Sequence, residues 1–298
     1  MMIQRLFAAL FIAVLGTGVV AQDQPADSVA KGWNLGLIAD LTITQAAYSD
    51  SWTGGEAGSF NWVANLNGSA EKQVHPSWNL RSVLRLSFGQ TLTQDAESKD
   101  WSKPQKSTDL IDWETVARMT RGWEIDPYAA FRLESQFADA SNSDKRLLFT
   151  PTRLTESVGL SYKHPLRDDS FIMTRLGAAV RQIFTRSADT ALTVFDTTII
   201  DGGIESVTDV EMNFGERLNY IGKLTLYKAF YNSEKDDPSG DNADDWKAVD
   251  VNWENTIAAS VTKILSVKLY TQILYDKEIS HKGRFKETLG LSFVFKLI

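Results

Sequence analysis

Residues 33–43 read Trp-Asn-Leu-Gly-Leu-Ile-Ala-Asp-Leu-Thr-Ile, and apolar side chains occupy every second position of this stretch. The intervening positions include Asn34, Asp40 and Thr42. Successive side chains of a β-strand point to opposite faces, so a period of two predicts a strand with one apolar and one polar face.

The same alternation recurs along the rest of the chain. The predicted strands cover residues 32–47, 58–71, 77–92, 109–121, 127–138, 152–163, 170–185, 203–214, 217–231, 246–260, 264–276 and 284–297. These stretches are longer than the usual strand of a soluble protein, which has about 5–6 residues. Residues 192–200 fit either a strand extension or a loop. The pattern therefore predicts an all-β protein, a closed antiparallel transmembrane β-barrel of twelve strands.

The predicted connections between strands alternate between long and short. The long ones are 48–57, 93–108, 139–151, 186–202, 232–245 and 277–283; the short ones lie near 75–77, 122–127, 164–169, 215–216 and 262–263. Outer-membrane barrels have short periplasmic turns, longer extracellular loops and both termini in the periplasm. The alternation thus predicts this orientation.

Length, composition and the N-terminus agree with an exported barrel. The chain has 298 residues, no Cys and a formal net charge of −7. Residues 1–21 have the charged, apolar and small-residue regions of a cleaved signal peptide. We therefore predict a signal peptide at 1–21, a short periplasmic segment at 22–31, a barrel at 32–298 and a location in the cell outer membrane. The acidic balance argues against a nucleic-acid partner.

Aromatic residues on the apolar parity cluster near the predicted strand ends. Trp33, Trp78, Tyr162, Phe214 and Tyr220 fall toward the short turns, whereas Phe60, Phe88, Trp113, Phe137, Phe184, Tyr275 and Phe285 fall toward the long loops. Such girdles mark the two membrane interfaces of a barrel. The outer-membrane lipid is therefore an expected partner.

Two further features predict partners of the barrel. The last strand, 289–297, resembles the C-terminal signal read by the barrel insertion machinery. The acidic run from Glu234 to Asp245 would meet the divalent cations that bridge surface lipopolysaccharide. It lacks the regular spacing of a Ca²⁺ loop, so we predict no bound metal. An envelope-complex partner at the long loops remains a hypothesis.

The polar parity of a membrane barrel faces its lumen, so candidate functional residues are sought there. The main inward charges are Arg81, Arg85, Arg118, Arg132, Arg175, Arg181, Glu205, Asp209, Glu211, Asp250 and Glu254, with Asp112, Glu114, Glu134, Lys223, Lys268 and Asp276 as further members. Two interpretations stay open. In one, opposed charges orient polar solutes in a narrow channel. In the other, the charges pair across the lumen and plug it, and the barrel is structural or binds a partner.

A surface hydrolase is a third hypothesis. His281 lies beside Ser280 and Asp276, which supply the residue types of a nucleophile, base and orienting group. No G-x-S-x-G, H-E-x-x-H, P-loop or dinucleotide motif occurs in the sequence, and we predict neither catalytic residues nor a cofactor.

Several short motifs resemble those of a known family. They are Ser51 to Gly55, Ser59 to Asn61, Asn65 to Gly68, Trp78-Asn79, Leu84 to Gly89, Lys106 to Leu110, Tyr128 to Phe137, Pro151 and Gly159 to Lys163. Together they resemble a domain-of-unknown-function family of outer-membrane barrels in Gram-negative bacteria. The resemblance covers most of residues 32–230, and the C-terminal third resembles it through barrel pattern only. It implies a barrel in the outer membrane and implies no activity.

Overall fold

A computed structural model of the chain describes residues 32–49, 56–139, 145–167, 170–189, 192–234 and 244–298. The predicted signal peptide, the predicted segment 22–31, residues 51–55 of the family motif and residues 235–243 of the acidic run lie outside these ranges. Among the residues described, no helix is long and apolar enough to cross a membrane.

The described chain folds into a closed, twelve-stranded antiparallel barrel. Its strands are β1 (Asn34–Ala46), β2 (Ser59–His75), β3 (Trp78–Thr93), β4 (Gln105–Met119), β5 (Asp126–Ser135), β8 (Thr152–Pro165), β9 (Phe171–Ala188), β10 (Val194–Phe214), β11 (Leu218–Asn232), β12 (Val249–Ser260), β13 (Leu265–Asp276) and β14 (Ser280–Lys296). The two-residue strands β6 (Ala138–Asp139) and β7 (Leu147–Leu148) form a separate ribbon. The predicted fold class and strand number are confirmed.

Each strand pairs with its neighbours along the chain, and β1 pairs with β14 to close the ring. The described residues of the connections 76–77, 120–125, 166–167, 170, 215–217 and 261–264 lie at one end, which we call the short-turn end. The first residue of β1 and the last of β14 lie there too. The opposite ends of the strands form the long-loop end.

Two predicted long connections are wrong. Residues 186–202 were predicted as a long connection in which 192–200 fitted either a strand extension or a loop, but β9 continues to Ala188 and β10 begins at Val194, so the strand extension is correct. The alternating residues of 194–200 pair in register with β9, and Ile200 lies opposite Gln182. The predicted connection 277–283 shrinks in the same way, because β14 already begins at Ser280. Long hairpins therefore replace loops at these two places.

The barrel is apolar outside and polar inside. Val158, Leu176 and Leu289 face outward and are 60%, 56% and 54% exposed, whereas Asp112 and Arg175 in the lumen are each 2% exposed. A water-soluble protein shows the opposite arrangement, because burial of charge without a partner is costly. An apolar outer surface around a polar interior is the pattern of a barrel surrounded by lipid.

The aromatic residues match the predicted girdles with one correction. Trp33, Trp78, Tyr162 and Phe214 are exposed at the short-turn end. Trp113 was assigned to the long-loop girdle, but it lies in the middle of β4, because that strand begins at Gln105 rather than at residue 109. There its ring packs edge-on against Phe131 at 5.8 Å.

A glycine on β9 creates space for a tyrosine inside the lumen. Gly159 on β8 and Gly177 on β9 are direct register partners. A Cβ atom on Gly177 would lie 2.7 Å from the hydroxyl of Tyr128 and 2.3 Å from a backbone oxygen. The missing side chain at Gly177 thus allows Tyr128 to be buried, and the guanidinium of Arg175 lies 5.8 Å from its ring centroid.

Candidate functional site: the charged lumen

A buried carboxylate, Asp112 on β4, is the centre of the lumen charges. The Nε atom of Arg132 donates to its Oδ1 atom at 2.9 Å, and the Nε atom of Arg85 donates to its Oδ2 atom at 2.9 Å. Arg132 also reaches Glu134 on its own strand at 3.0 Å. Two guanidinium groups thus compensate one carboxylate that is hidden from water.

A second carboxylate, Glu114, holds two further cations. The Nη2 atom of Arg175 donates to its Oε1 atom at 2.8 Å, and the ammonium of Lys223 donates to its Oε2 atom at 3.1 Å. Arg175 also lies 3.4 Å from Asp209 on β10. We refer to Arg85, Asp112, Glu114, Arg132, Glu134, Arg175, Asp209, Lys223 and Glu254 as the central network.

Two bridges of the central network cross the lumen. Arg85 on β3 donates to Glu254 on β12 at 2.8 Å, and four strands separate β3 from β12 on the shorter way round the ring. Lys223 on β11 and Glu114 on β4 are also separated by four strands. In a ring of twelve strands these positions are nearly opposite. Side chains from opposing walls therefore meet in hydrogen-bond contact at this level.

A separate group of charges lies nearer the long-loop end. Arg181 on β9 donates to Asp250 at 2.7 Å and to Asp201 at 3.2 Å, and its guanidinium lies 3.5 Å from the ring centroid of Tyr227. Asp201 also accepts a hydrogen bond from Asn232 at 2.7 Å. These residues form a second layer of paired charge inside the barrel.

Glu278, in the turn between β13 and β14, borders this layer. Its Oε1 atom accepts a hydrogen bond from Asn232 at 3.5 Å. Burial, followed by the carboxylates of Asp201, Asp276 and Asp250, raises the pKa of Glu278 to about 7, and Arg181 opposes that shift. The side chain therefore changes charge near neutral pH.

Glu278→Gln is expected to change how stability depends on pH. Because folding raises this pKa above the ordinary 4.5, the folded state binds the proton more tightly. The contribution of Glu278 to the free energy of unfolding thus falls as pH rises from about 4.5 to 7. At pH 8 the variant should be more stable than the wild type by about 1 kcal/mol, because Glu278 is only partly desolvated and water screens the charges around it.

Guanidinium unfolding of both proteins at pH 4 and pH 8 measures this difference. At pH 4 the two proteins should be equally stable, because Glu278 is protonated in the folded and largely in the unfolded state. Glu97→Gln, at an exposed loop position, is the matched control and should change nothing at either pH. Equal differences at the two pH values would contradict the prediction.

A third polar group occupies one wall near the seam of the barrel. The ammonium of Lys268 on β13 donates to Asp40 on β1 at 3.0 Å, and Asn65 on β2 donates to the same carboxylate at 2.8 Å. Ser292 on β14 also donates to Asp40, at 3.3 Å. These four strands are adjacent, so this group does not span the lumen.

The residues predicted for the lumen separate into levels. Arg85, Arg132, Arg175, Asp209 and Glu254 join the central network, and Arg181 and Asp250 form the layer beyond it. Glu205 is also buried, and it interacts electrostatically with Arg132 and Arg175. Arg81, Arg118 and Glu211 lie apart from the network, at the short-turn end, where Arg118 pairs with Asp126 at 3.4 Å.

Several residues of the lumen sites were missed in the sequence analysis. Asp201 fell within a stretch interpreted as a loop, so its inward parity was not recognised. Asp40 occupies one of the polar positions of the alternating stretch 33–43, so the alternation could have identified it as a lumen residue. Lys163 and Phe171 lie at strand ends. The alternating pattern there covers too few residues to predict whether a side chain faces the lumen or the outside.

The side chains of the three residues of the hydrolase hypothesis are not joined by hydrogen bonds. His281 Nε2 lies 2.7 Å from Asp245, whose other oxygen is 2.9 Å from the ammonium of Lys277. Lys277 and His281 lower the pKa of Asp245. Asp276 instead lies 3.7 Å from Arg153. Within the part of the chain that is described, His281, Ser280 and Asp276 therefore do not form a nucleophile–base–orienting set.

A family model matches the first part of this barrel. Residues 43–140 match "Protein of unknown function (DUF3078)". The match confirms the resemblance to a family of unknown function over these residues. It includes β2 to β5, which carry Arg85, Asp112, Glu114 and Arg132. No curated protein matches the chain in sequence.

Solved structures of similar fold are outer-membrane barrels. An outer membrane channel from Pseudomonas putida F1 is 14% identical, with 93% of this chain and 100% of that chain covered and a TM-score of 0.42. The NanC porin is 11% identical, with coverages of 86% and 98% and a TM-score of 0.37. The translocator domain of the autotransporter NalP from Neisseria meningitidis is 9% identical, with coverages of 99% and 95% and a TM-score of 0.34.

Proposed function

We propose that this chain is an outer-membrane barrel whose lumen is closed at mid-height, so that it is a structural or partner-binding barrel rather than an open pore. The observation that carries the proposal is the pair of bridges across the lumen, Arg85 to Glu254 and Glu114 to Lys223. A channel that passes polar solutes needs a water-filled path, and ion pairs between opposing walls occupy that path.

The outer-membrane location is supported by the surface of the barrel and by the sequence. Outward apolar side chains such as Val158 and Leu176 are more than half exposed, and the ring has no open edge. In lipid, an open edge would leave backbone groups unsatisfied, so closure is a requirement there. The predicted signal peptide at 1–21 supports export.

In this proposal the activity of the barrel resides at its ends. The long-loop end would face the cell exterior and its lipopolysaccharide, and the short-turn end would face the periplasm. The central network holds the walls together between them. An envelope partner that docks on the long loops is compatible with this arrangement.

Conductance of the purified protein in planar lipid bilayers tests the proposal. The wild-type protein is expected to give no stable steps above the lipid background, because the central network excludes a continuous water path. The alternative, a narrow channel for small polar solutes, predicts stable steps whose size changes in Arg85→Ser. Observation of such steps would overturn the closed-lumen proposal.

A further inference from the structure

A cavity of about 260 Å³ lies in the lumen at the short-turn end. Its walls include Glu71 on β2, Arg81 on β3, Lys163 on β8, Phe171 on β9 and Glu211 on β10. Each of these residues lies within four positions of its strand's short-turn end. A volume of this size is large enough for a small organic molecule, since one water needs about 10–15 Å³ on the same measure.

The charges around this cavity differ from those of the central network in being unpaired. Among the residues that the structure describes, Glu71, Arg81, Lys163 and Glu211 form no ion pair with one another or with other groups. Glu71 and Arg81 are direct register partners on adjacent strands, yet their charged atoms do not meet. Two cations and two carboxylates therefore face the cavity with free hydrogen-bonding capacity.

An aromatic ring lies beside the two cations. The ammonium of Lys163 is 4.6 Å from the ring centroid of Phe171, and the guanidinium carbon of Arg81 is 5.7 Å from it. Val116 and Met173 join Phe171 in an adjoining apolar crevice. Such contacts hold both cations near an apolar surface. The cavity thus presents positive charge, negative charge and an apolar wall together.

We propose that this cavity binds a small zwitterion of the amino-acid class. The carboxylate would be held by Arg81 and Lys163, the ammonium by Glu71 and Glu211, and the apolar side chain would pack against Phe171. A simple anion would satisfy only the two cations, and a simple amine would satisfy only the two carboxylates. A ligand with both charges would pair with all four charged groups of the cavity. A site with several polar groups is selective for the ligand that pairs with all of them.

Calorimetric titration of the purified full chain in detergent tests this inference with three probes. They are L-phenylalanine, phenethylamine, which lacks the carboxylate, and 3-phenylpropionate, which lacks the ammonium. Phenylalanine is expected to bind at least about tenfold more tightly than either analogue. The measurement does not depend on whether the lumen conducts, so its failure is distinguishable from failure of the closed-lumen proposal.

Two variants identify the groups that bind each end of the probe. Arg81→Gln and Glu211→Gln should each weaken phenylalanine binding at least about tenfold. Arg217→Gln and Glu216→Gln, at exposed positions of a turn at the same end, are the matched controls and should bind as the wild type does. Migration of the folded barrel on unheated gels verifies that each variant folds.

The proposal is overturned by several results. One is the absence of binding by all three probes, and another is equal affinity for phenylalanine and 3-phenylpropionate, which would indicate a plain anion site. Undiminished binding in the folded Arg81→Gln and Glu211→Gln variants would also overturn it, because the heat would then come from another part of the molecule.

Discussion

Asp112→Ala is expected to lower the free energy of unfolding by about 3–5 kcal/mol. The carboxylate of Asp112 accepts hydrogen bonds from Arg85 and from Arg132 in a part of the lumen that water does not reach. Removal of this carboxylate leaves the two guanidinium groups with too little negative charge beside them to balance their positive charge. The cost comes mainly from the positive charge that remains buried.

Denaturant unfolding in lipid vesicles measures this effect. Asp112→Asn retains the shape of the side chain and one acceptor oxygen, so its loss should be smaller than that of Asp112→Ala. Asp100→Ala, at an exposed loop position, is the control and should stay within about 0.5 kcal/mol of the wild type. A change below about 1 kcal/mol in Asp112→Ala would mean that water reaches and screens this part of the lumen.

Removal of the two cross-lumen bridges of the central network is expected to turn a non-conducting barrel into a channel. The variant carries Arg85→Ser, Glu254→Ser, Glu114→Ser and Lys223→Ser, so both partners of each bridge are lost together. Removal of whole pairs avoids the cost of leaving one partner buried alone. Arg132 keeps Asp112, and Arg175 keeps Asp209. The barrel should therefore fold, and stable conductance steps should appear in planar bilayers.

A second pair of substitutions controls for loss of charge as such. Asp40→Ser with Lys268→Ser removes an ion pair that joins β1 and β13 on one wall and does not cross the lumen. This variant should remain without conductance. If the fourfold variant folds and still gives no steps, residues other than the two bridges close the lumen, and the assignment of closure to the central network is wrong.

The fold could be predicted in most of its features from the sequence. Alternation in stretches such as 33–43 predicts which residues face the lumen and which face outward. This prediction needs only one strand at a time, because the side chains of any strand point alternately to its two faces. The count of twelve followed from the same pattern, and the closed ring has that number of strands. Asp112, Glu114, Arg132 and Arg175 were recognised as inward for that reason.

Strand ends were harder to predict. Residues 194–200 continue β10 because they pair with residues 182–188 of β9, and the sequence alone does not show which stretches pair with each other. Asp201 was missed with them, although it pairs with Arg181 in the lumen. The residue at which a strand ends depends on its pairing with the adjacent strand, whereas the alternation of its side chains does not depend on that pairing.

Within the strands recognised from the sequence, alternation by itself determined which side chains enter the lumen, and only the tertiary structure decided which of them meet. Arg81 and Arg85 lie four positions apart on the same face of β3, and nothing local distinguishes them. Arg85 reaches Glu254 on the opposite wall, whereas Arg81 lies over Phe171 beside a cavity. The reason is that strands in a barrel are tilted and staggered, so the height of each residue is set by the accumulated register of the whole ring.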